Sequence, residues 1–366
     1  MKTSIKLRHE FKALPEDIQK EITENFSGYR PDGVGQVKLI GEDNDKDAQE
    51  EDINANHEWR YLMPMNYNKH SQKYYNFQFR QDDVIVMTHP KCGTTWMLEI
   101  VWLMKNKLDI KNATAVPQRV RCPMIEQDSF HSPGGTLDPA VTKALSGHRS
   151  KTDDIEGEEF LALSNLTTSP RTLKTHLPLC LLNPSLLNTS KVIYVARNPR
   201  DVCVSYYHHH RLIRALGFTG DFTKFVDFWC RDLLIQGPYW QHVGQGWEKH
   251  AHPNVHFVFY EDLKKNSMTE LQKINKFLNT NLSEEELNVV KDFTNFDQMK
   301  IRKSINPMVK GKAIKAFKEN EGQFLRKGTI GDWKNYFTPE TEHKFQAWLD
   351  KWSHIKEKIP FTYEMI

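Results

Sequence analysis

The chain has 366 residues, which is enough for one large domain or two smaller ones with a substantial core. Its formal net charge of +3 is too small to favour nucleic acid as a partner, because a dominant basic face would then be expected. The first residues lack the apolar segment of a signal peptide, and no apolar run of about 18 residues occurs. We therefore expect a cytoplasmic protein without a membrane span.

The cysteine and histidine patterns predict neither disulfides nor a metal site. The five cysteines are widely spaced, odd in number and without a Cys-x-x-Cys pair, which fits reduced thiols in the cytosol. The run His208-His209-His210 is predicted to lie on a helix, where adjacent side chains point in different directions. We expect helix surface and cavity wall at these positions and no metal ligands.

The chain divides into a short leading part and a long main domain. Residues 1–80 are predicted to be an irregular N-terminal extension packed on the domain or leading into it. A short amphipathic helix opens at 14–18, and the acidic segment 41–52 is predicted to be a solvated linker. The main domain covers 81–366, and the long stretch at about 117–170 is predicted to be an insertion or a lid.

Short apolar runs predict the strands of a central sheet. They begin at Val84 and lie at 171–178, 191–196 and 255–260, and helical periodicity occurs at 97–105, 199–216, 222–235, 268–279, 284–293 and 340–355. Buried strands separated by helices predict a single α/β domain with a central parallel sheet flanked by helices. Ligands bind such sheets at the carboxyl ends of the strands, where Lys91, His176, Arg197 and Tyr260 fall.

The segment 84–96 predicts a P-loop-like anion-binding turn between a strand and a helix. The first N–H groups of a helix lack internal partners and lie at the positive end of its dipole, so a phosphate binds there. Lys91 adds a positive charge, Gly93 allows close approach of the backbone, and Thr94 and Thr95 supply hydroxyl donors. The loop is not a Walker A motif, because Lys91 precedes Gly93.

Two further segments carry groups that bind phosphate. Arg197 and Ser205 lie at the start of a helix capped by Asn198, and Arg326 lies in the loop 324–328. An arginine can contact two phosphate oxygens at once. Three anion sites at one sheet edge predict a nucleotide with phosphates at both ends. The aromatic residues available to contact its base are Trp96, Tyr260 and Phe296, although Trp96 alone is more typical of a core.

Lys174 and His176 are candidates for catalysis. They are two positions apart on a predicted strand, so their side chains point the same way. A lysine that stabilises charge beside a histidine that removes a proton is a credible general-base pair. A lone histidine is more often structural, and it is the position at a sheet edge that favours a catalytic role here.

Five ordered segments, at 89–96, 173–178, 195–207, 259–262 and 326–334, resemble the signature segments of cytosolic sulfotransferases. The resemblance implies transfer of a sulfuryl group from 3′-phosphoadenylyl sulfate (PAPS) to a hydroxyl or amine, leaving adenosine 3′,5′-bisphosphate (PAP). It implies a small acceptor of the phenol, sterol, retinoid or amine class and no metal.

The resemblance also implies a role for each matching residue. His176 would be the base, Lys174 would stabilise the transferring group, and Lys91 would act at the leaving phosphate. The 5′-phosphosulfate would bind at the 91–95 turn, the 3′-phosphate at Arg197, Ser205 and the 326–328 loop, and the adenine among the aromatic residues. The implied cofactor-binding residues are Lys91, Cys92, Gly93, Thr94, Thr95, Trp96, Arg197, Ser205, Tyr260, Thr294, Phe296, Arg326, Lys327 and Gly328.

The chain departs from the family pattern at two places. Cys92 stands where serine is usual, and its position beside Lys91 at a helix start predicts a lowered thiol pKa and a reactive thiol; an inert packed thiol is the alternative. Pro339 and His343 replace the valine and glutamate of the family's dimer motif, which leaves monomer and homodimer open.

The long leading part and the 117–170 stretch resemble insect members of the family, among them a retinol dehydratase with a lid insertion. A lid that closes an apolar pocket from water would allow sulfonation followed by elimination of sulfate. Two readings from other classes stay open at this point: an ATP-dependent kinase that uses the Lys91 loop, and a nucleotide-binding module without catalysis. The kinase reading lacks a clear Mg²⁺-binding aspartate at a strand end.

Overall fold

The computed structural model describes residues 5–29, 33–40, 59–130, 139–146, 157–309, 316–318 and 320–361. The acidic segment 41–52, predicted to be a linker, lies outside these residues. No helix in the described ranges is long and apolar enough to cross a membrane.

Within the described residues, seven strands form two separate sheets. The strands are β1 His9–Ala13, β2 Val34–Leu39, β3 Arg60–Pro64, β4 Val84–Thr88, β5 Thr172–Thr175, β6 Lys191–Ala196 and β7 Val255–Phe259. The second sheet has the order β5-β4-β6-β7, and all its neighbouring strands are parallel. The central parallel sheet of the predicted α/β domain is confirmed.

Helices cover both faces of the central sheet, because alternate side chains of its strands enter two different cores. Ile85 and Tyr194 belong to one buried cluster, whereas Val84 and Ile193 belong to the other. The helices are α1 Glu16–Asn25, α2 Tyr67–Tyr75, α3 Thr94–Lys105, α4 Ile110–Ala115, α5 Gln118–Arg121, α6 Pro139–Ser146, α7 Glu159–Leu166, α8 Leu186–Thr189, α9 Pro199–Leu212, α10 Phe222–Cys230, α11 Tyr239–Glu248, α12 Tyr260–Lys265, α13 Ser267–Leu278, α14 Glu284–Phe293, α15 Phe296–Ile301, α16 Pro339–Lys351 and α17 Ser353–Lys356.

The leading part of the chain is not irregular, and that prediction is wrong. Strands β1, β2 and β3 form an antiparallel sheet in this order. Val37 and Tyr61 are fully buried in the same cluster as one face of the central sheet. Leu62 of β3 also bonds the turn before α11, since its N–H donates to the carbonyl of Gly237 at 2.9 Å and its carbonyl accepts from the Gln236 N–H at 2.7 Å. The first sheet is therefore part of the domain's core.

Several helices differ from the sequence predictions, among them α9, α10 and α11. Helix α9 ends at Leu212 rather than near 216, because Ile213 is extended and pairs with Phe317. Helix α10 ends at Cys230 rather than 235, and Asp232 soon after it has a φ of +56°. Helix α11 was not predicted, because its sequence is rich in polar residues and glycine.

The 117–170 stretch contains helices in its described parts. Helices α6 and α7 share a small buried cluster formed by Val141, Leu145, Phe160 and Leu163. The Asp128 carboxylate accepts from the N–H groups of Phe160 and Leu161 at 3.0 and 2.9 Å, which ties the start of α7 to the preceding segment. Residues 131–138 and 147–156 of the stretch are outside the described residues.

Candidate active site

One cavity lies at the carboxyl ends of the central strands. Its volume is about 880 Å³, and its walls include the turn after β4, the end of β5, the start of α9 and the 324–329 loop. Residues of the 117–170 stretch complete the wall. The predicted meeting of Lys91, His176, Arg197 and Tyr260 at one sheet edge is thus observed, since all four line this cavity.

The turn between β4 and α3 has the backbone geometry of an anion site. Lys91 and Gly93 have φ values of +70° and +98°. A Cβ atom at Gly93 would lie 2.6 Å from the Tyr260 ring, so only glycine fits there without displacing that ring. The N–H groups at the start of α3 follow directly after Gly93, and Thr94 is further held by Thr88, whose hydroxyl lies 2.7 Å from the Thr94 hydroxyl.

Arg197 is held in place but keeps one free donor. Its Nη2 donates to the Thr329 carbonyl at 2.9 Å, its Nη1 donates to the Lys91 carbonyl at 3.3 Å, and its guanidinium lies 4.4 Å from the centre of the Tyr260 ring. The buried Nε has no partner among the described residues. A buried charged donor without a partner fits an anionic ligand at this position.

The loop after Phe324 is fixed by two carboxylates. Asp332 pairs with Arg326 at 2.6 Å and with Lys327 at 2.7 Å. Asp201 of α9 accepts from the Gly331 N–H at 2.7 Å and from the Trp333 N–H at 3.1 Å. These contacts bring the two cationic side chains to the cavity beside Ser205 of α9.

The residues predicted to contact a base lie together on one part of the wall. Trp96 Nε1 donates to the Thr294 hydroxyl at 3.4 Å, and the Trp96 and Tyr260 rings meet edge to face at 5.7 Å. Gly328 has a φ of +65°, and its Cβ position is filled by the Phe296 ring. An aromatic pocket beside a cationic loop fits an adenine with a nearby phosphate.

The cavity wall is strongly cationic. No aspartate or glutamate occurs among the described residues that line it, whereas its basic side chains are Lys91, Arg119, Lys174, Arg197, Lys264, Arg326 and Lys327. Removal from water and the charges of Lys174, Arg197 and Arg326 lower the pKa of Lys91 to about 7. These cations repel one another, and the arrangement therefore favours an anionic ligand.

His176 has a defined tautomer. Its Nδ1 lies 2.8 Å from the Thr88 carbonyl oxygen, which can only accept, so Nδ1 carries the proton and Nε2 carries the lone pair. Burial, and then the charge of Lys174, lower the pKa of His176 well below its usual range. The imidazole is therefore neutral near pH 7 and lies in the wall of the same cavity as Lys91.

Residues 81–357 match the family described as "Sulfotransferase domain". The chain belongs to the sulfotransferase family. It is 35% identical to dog sulfotransferase 1A1 over 74% of this chain and 83% of that protein, and 32% identical to the luciferin sulfotransferase of Photinus pyralis over 79% and 76%. A crystal structure of retinol dehydratase with androsterone and PAP matches 99% of this chain and 100% of its own, with a TM-score of 0.78 and 27% identity. The chain is thus an enzyme of the PAPS-dependent sulfotransferase class.

Three residues around His176 in this enzyme were missed from the sequence. Glu126 accepts from the His176 N–H at 2.6 Å, while the Tyr61 hydroxyl and His242 Nε2 donate to the His176 carbonyl, the latter at 3.0 Å. Burial raises the pKa of Glu126 to about 7. Tyr61 and His242 lie in elements that were not predicted, and Glu126 lies in the 117–170 stretch, which was predicted to be an insertion or a lid. No sequence pattern therefore pointed to these three residues.

The lowered thiol pKa predicted for Cys92 of this enzyme is contradicted by its surroundings. Cys92 is fully buried in the main core cluster and does not line the cavity, so its side chain lies in the core and not at the cavity wall. Burial raises the pKa of the Cys92 thiol far above its usual range and outweighs the opposing charge of Arg197. The inert packed thiol is the reading that the structure supports.

The histidine run on α9 is divided between core and cavity. His210 is completely buried and contacts the Tyr29 hydroxyl at 3.2 Å, which contradicts the predicted exposed surface for that residue. His209 lines the cavity, as predicted. No grouping of three His, Cys, Asp or Glu side chains suited to a metal ion occurs among the described residues.

Proposed function

We propose that the chain transfers a sulfuryl group from PAPS to the hydroxyl of a small apolar acceptor, with His176 as the general base. The observation that carries this proposal is the contact between His176 Nδ1 and the Thr88 carbonyl at 2.8 Å. It leaves the basic Nε2 in the cavity that also contains Lys91. A neutral imidazole with a fixed tautomer is ready to accept a proton.

The cavity's cationic loops would bind the two ends of the nucleotide. Lys91 and the amides of residues 93–95 would hold the 5′-phosphosulfate, while Arg197, Ser205 and the 326–328 loop would hold the 3′-phosphate. Cys92 would contribute only its backbone. The adenine would lie among Trp96, Tyr260, Thr294 and Phe296. PAPS supplies the activated sulfuryl group and a phosphate leaving group.

The catalytic work of this chain is positioning and charge stabilisation, as in phosphoryl transfer. His176 would take the proton of the acceptor hydroxyl at Nε2. Lys91 would stabilise the negative charge that grows on the leaving phosphate oxygen, and Lys174 would stabilise the transferring group. The low pKa of Lys91 without ligand means that phosphate oxygens also hold this side chain in its charged form.

The charge of the cavity favours a hydroxyl acceptor over an amine. An aliphatic amine is protonated near pH 7 and would be repelled by the cationic wall, which has no carboxylate among its described residues. The remaining wall is mostly apolar and includes Phe130, Phe160, Ile213 and Leu216. Because Phe130 and Phe160 belong to the 117–170 stretch, we also propose that this stretch closes over the acceptor as a lid.

A panel experiment tests the proposal. Phenols, sterols, retinoids and amines are incubated with PAPS carrying a labelled sulfuryl group, and PAP and Mg-ATP are compared as ligands by calorimetry. We expect label transfer to neutral apolar alcohols or phenols and tight PAP binding without magnesium. Preferred binding of Mg-ATP would favour the kinase reading, and PAP binding without transfer to any acceptor would favour the binding module.

A second candidate is sulfonation followed by elimination of sulfate. The support is the structure of retinol dehydratase with retinol and PAP, which matches 98% of this chain with a TM-score of 0.78 and 27% identity. Retinol is incubated with the enzyme and PAPS, and the products are identified by mass spectrometry. A dehydrated hydrocarbon would support elimination, whereas an intact sulfate ester would leave simple transfer.

We also propose that the reaction takes place in the cytosol. All five cysteines of the chain are free, which fits a reducing compartment.

A further inference from the structure

The acceptor side of the cavity contains a buried amide with no hydrogen-bond partner. Gln236 lines the cavity with a relative exposure of 6%, and its Nε2 has no partner among the described residues. Its Oε1 lies 3.5 Å from the Tyr206 hydroxyl, which already donates to the Ile235 carbonyl at 2.9 Å. A buried N–H donor without a partner has lost its bonds to water and gained none.

The backbone of Gln236 is held in a conformation that few residues adopt. Its φ is +57°, and the first sheet fixes it there, because its N–H donates to the Leu62 carbonyl at 2.7 Å and the Leu62 N–H bonds the next residue, Gly237. Such conformations persist where surrounding contacts determine them, and they cluster at ligand sites. Strand β3 therefore holds Gln236 at the cavity wall, where its buried side chain is not a mobile surface group.

His209 places a second unpartnered polar atom in the same cavity. It follows Ser205 by one helical turn on α9, it lines the cavity, and its buried Nδ1 has no partner among the described residues. Tyr206 connects it to Gln236, because the Tyr206 ring stacks on the His209 ring at 6.2 Å and its hydroxyl lies beside the Gln236 carboxamide. Burial and the charge of Lys91 lower the pKa of His209 well below its usual range, so the ring is neutral.

We propose that Gln236 and His209 form a polar subsite that binds a second, neutral oxygen of the acceptor, so the preferred substrates are apolar alcohols that also carry a carbonyl, ether or hydroxyl oxygen. The inference rests on the proposed function, since it names the substrate class of that site. Gln236 Nε2 donates to this oxygen. The surrounding apolar wall requires that the rest of the molecule is hydrophobic.

The oxygen is neutral because of what both partners can do. An uncharged imidazole and a carboxamide offer hydrogen bonds and bring no charge of their own, which suits a neutral oxygen. A site that must bind a polar group discriminates against an analogue that lacks it, because its own polar atoms are then left unpaired. Selectivity between oxygenated and deoxygenated acceptors is thus the property that this pair of residues determines.

The test compares acceptors in matched pairs. Each pair shares one skeleton and one transferable hydroxyl: a hydroxysteroid ketone and its analogue without the ketone, a retinol with a ring ketone and retinol itself, and a methoxyphenol and its alkyl counterpart. The ratio of kcat/KM within each pair is measured for the wild type, Gln236→Leu and His209→Phe. Gln272→Leu, which makes the same exchange at an exposed position of α13, is the control.

We expect the wild type to prefer the oxygenated member of at least one pair by about tenfold, the effect of one good hydrogen bond. Gln236→Leu should bring this ratio close to one, His209→Phe should lower it, and Gln272→Leu should leave it unchanged. PAP binding, measured by calorimetry, should be equal in all four proteins and shows that they are folded.

Two results would overturn the inference. One is a wild type without preference in any pair, and the other is a ratio that Gln236→Leu leaves unchanged, as expected if bound water satisfies the amide. If no acceptor is sulfonated, the proposed function fails, and the pairs are then compared by their affinity for the PAP complex. Equal affinities within every pair would overturn the subsite as well, whereas a preference lost in Gln236→Leu would support it.

Discussion

The Nδ1 atom of His176 on the segment after β5 lies 2.8 Å from the carbonyl oxygen of Thr88, the last residue of β4. Parallel pairing of these two neighbouring strands brings the histidine next to the end of β4, just before the 91–95 turn. The same register therefore fixes the tautomer of the proposed base and its placement beside Lys91.

Replacing His176 should separate catalysis from nucleotide binding. We expect His176→Ala to bind PAP within about twofold of the wild type but to lose roughly 10²- to 10⁴-fold in transfer rate, the usual contribution of a general base. Calorimetry with PAP and initial rates with labelled PAPS give the two quantities. His250→Ala, at an exposed histidine, is the control and should retain full activity. Transfer by His176→Ala at the wild-type rate would rule out the general-base role.

Binding of PAP should be accompanied by proton uptake at Lys91. The pKa of Lys91 is about 7 in the free protein, so at pH 8 its amine is mostly neutral. Phosphate oxygens favour the ammonium form and raise this pKa, so up to one proton is taken up and affinity falls as the pH rises above 7.

Calorimetric titrations at pH 8 in HEPES and in Tris measure this uptake, because the two buffers differ in ionisation enthalpy. The heat of PAP binding should differ between them for the wild type and agree for Lys91→Met. Identical wild-type heats in both buffers would show that Lys91 is already charged in the free protein.

Cys92 should resist alkylation. Its thiol is buried and its pKa is raised, so the thiolate that reacts is scarce and inaccessible. Native protein is treated with iodoacetamide with and without PAP, and labelled peptides are quantified by mass spectrometry. We expect the half-buried Cys180 and Cys230 to be modified first and Cys92 only after unfolding, with PAP making no difference. Rapid labelling of Cys92 that PAP prevents would restore the reactive-thiol reading.

Asp83 should be important for stability. Its carboxylate accepts from Arg171 Nε at 2.7 Å and from Nη2 at 2.5 Å, and both side chains are almost completely buried. Asp83→Ala leaves the guanidinium buried without its counter-charge, which costs about 3–5 kcal/mol of unfolding free energy. Urea denaturation measures the loss. The exposed neighbour gives the matched control, Asp82→Ala, which should change stability by less than about 0.5 kcal/mol, and equal effects of the two substitutions would contradict the assignment.

The central sheet and the 91–95 turn could be predicted because their sequence patterns are local. Strands β4 and β6 are continuous apolar runs, as expected for strands buried on both faces, and each is followed by a turn with its own chemistry. Lys91 and Arg197 were found because they follow directly after these strands. The resemblance to the family's signature segments then implied a role for each of these residues, which their spacing alone left open.

The first sheet and helix α11 could not be predicted because their signals depend on distant partners. Strands β1 and β2 mix polar and apolar residues and are only partly buried, so they lack a clear pattern. In α11, Gly246 packs directly against the Tyr194 ring, a contact that needs glycine although this residue weakens the helix signal. Glu126, Tyr61 and His242 meet His176 only through such long-range packing.

Strand β3 lies outside residues 81–357, which match the family, yet it contacts the proposed base and the proposed acceptor wall. Tyr61 bonds the His176 carbonyl, and the next residue, Leu62, bonds the backbone of Gln236. A chain shortened to the family match would therefore lose contacts to the proposed base and to the proposed acceptor wall, together with the part of the core that the first sheet supplies. Sequence change in β3 would reach the proposed acceptor wall through the Gln236 backbone without replacing any residue of the proposed donor site.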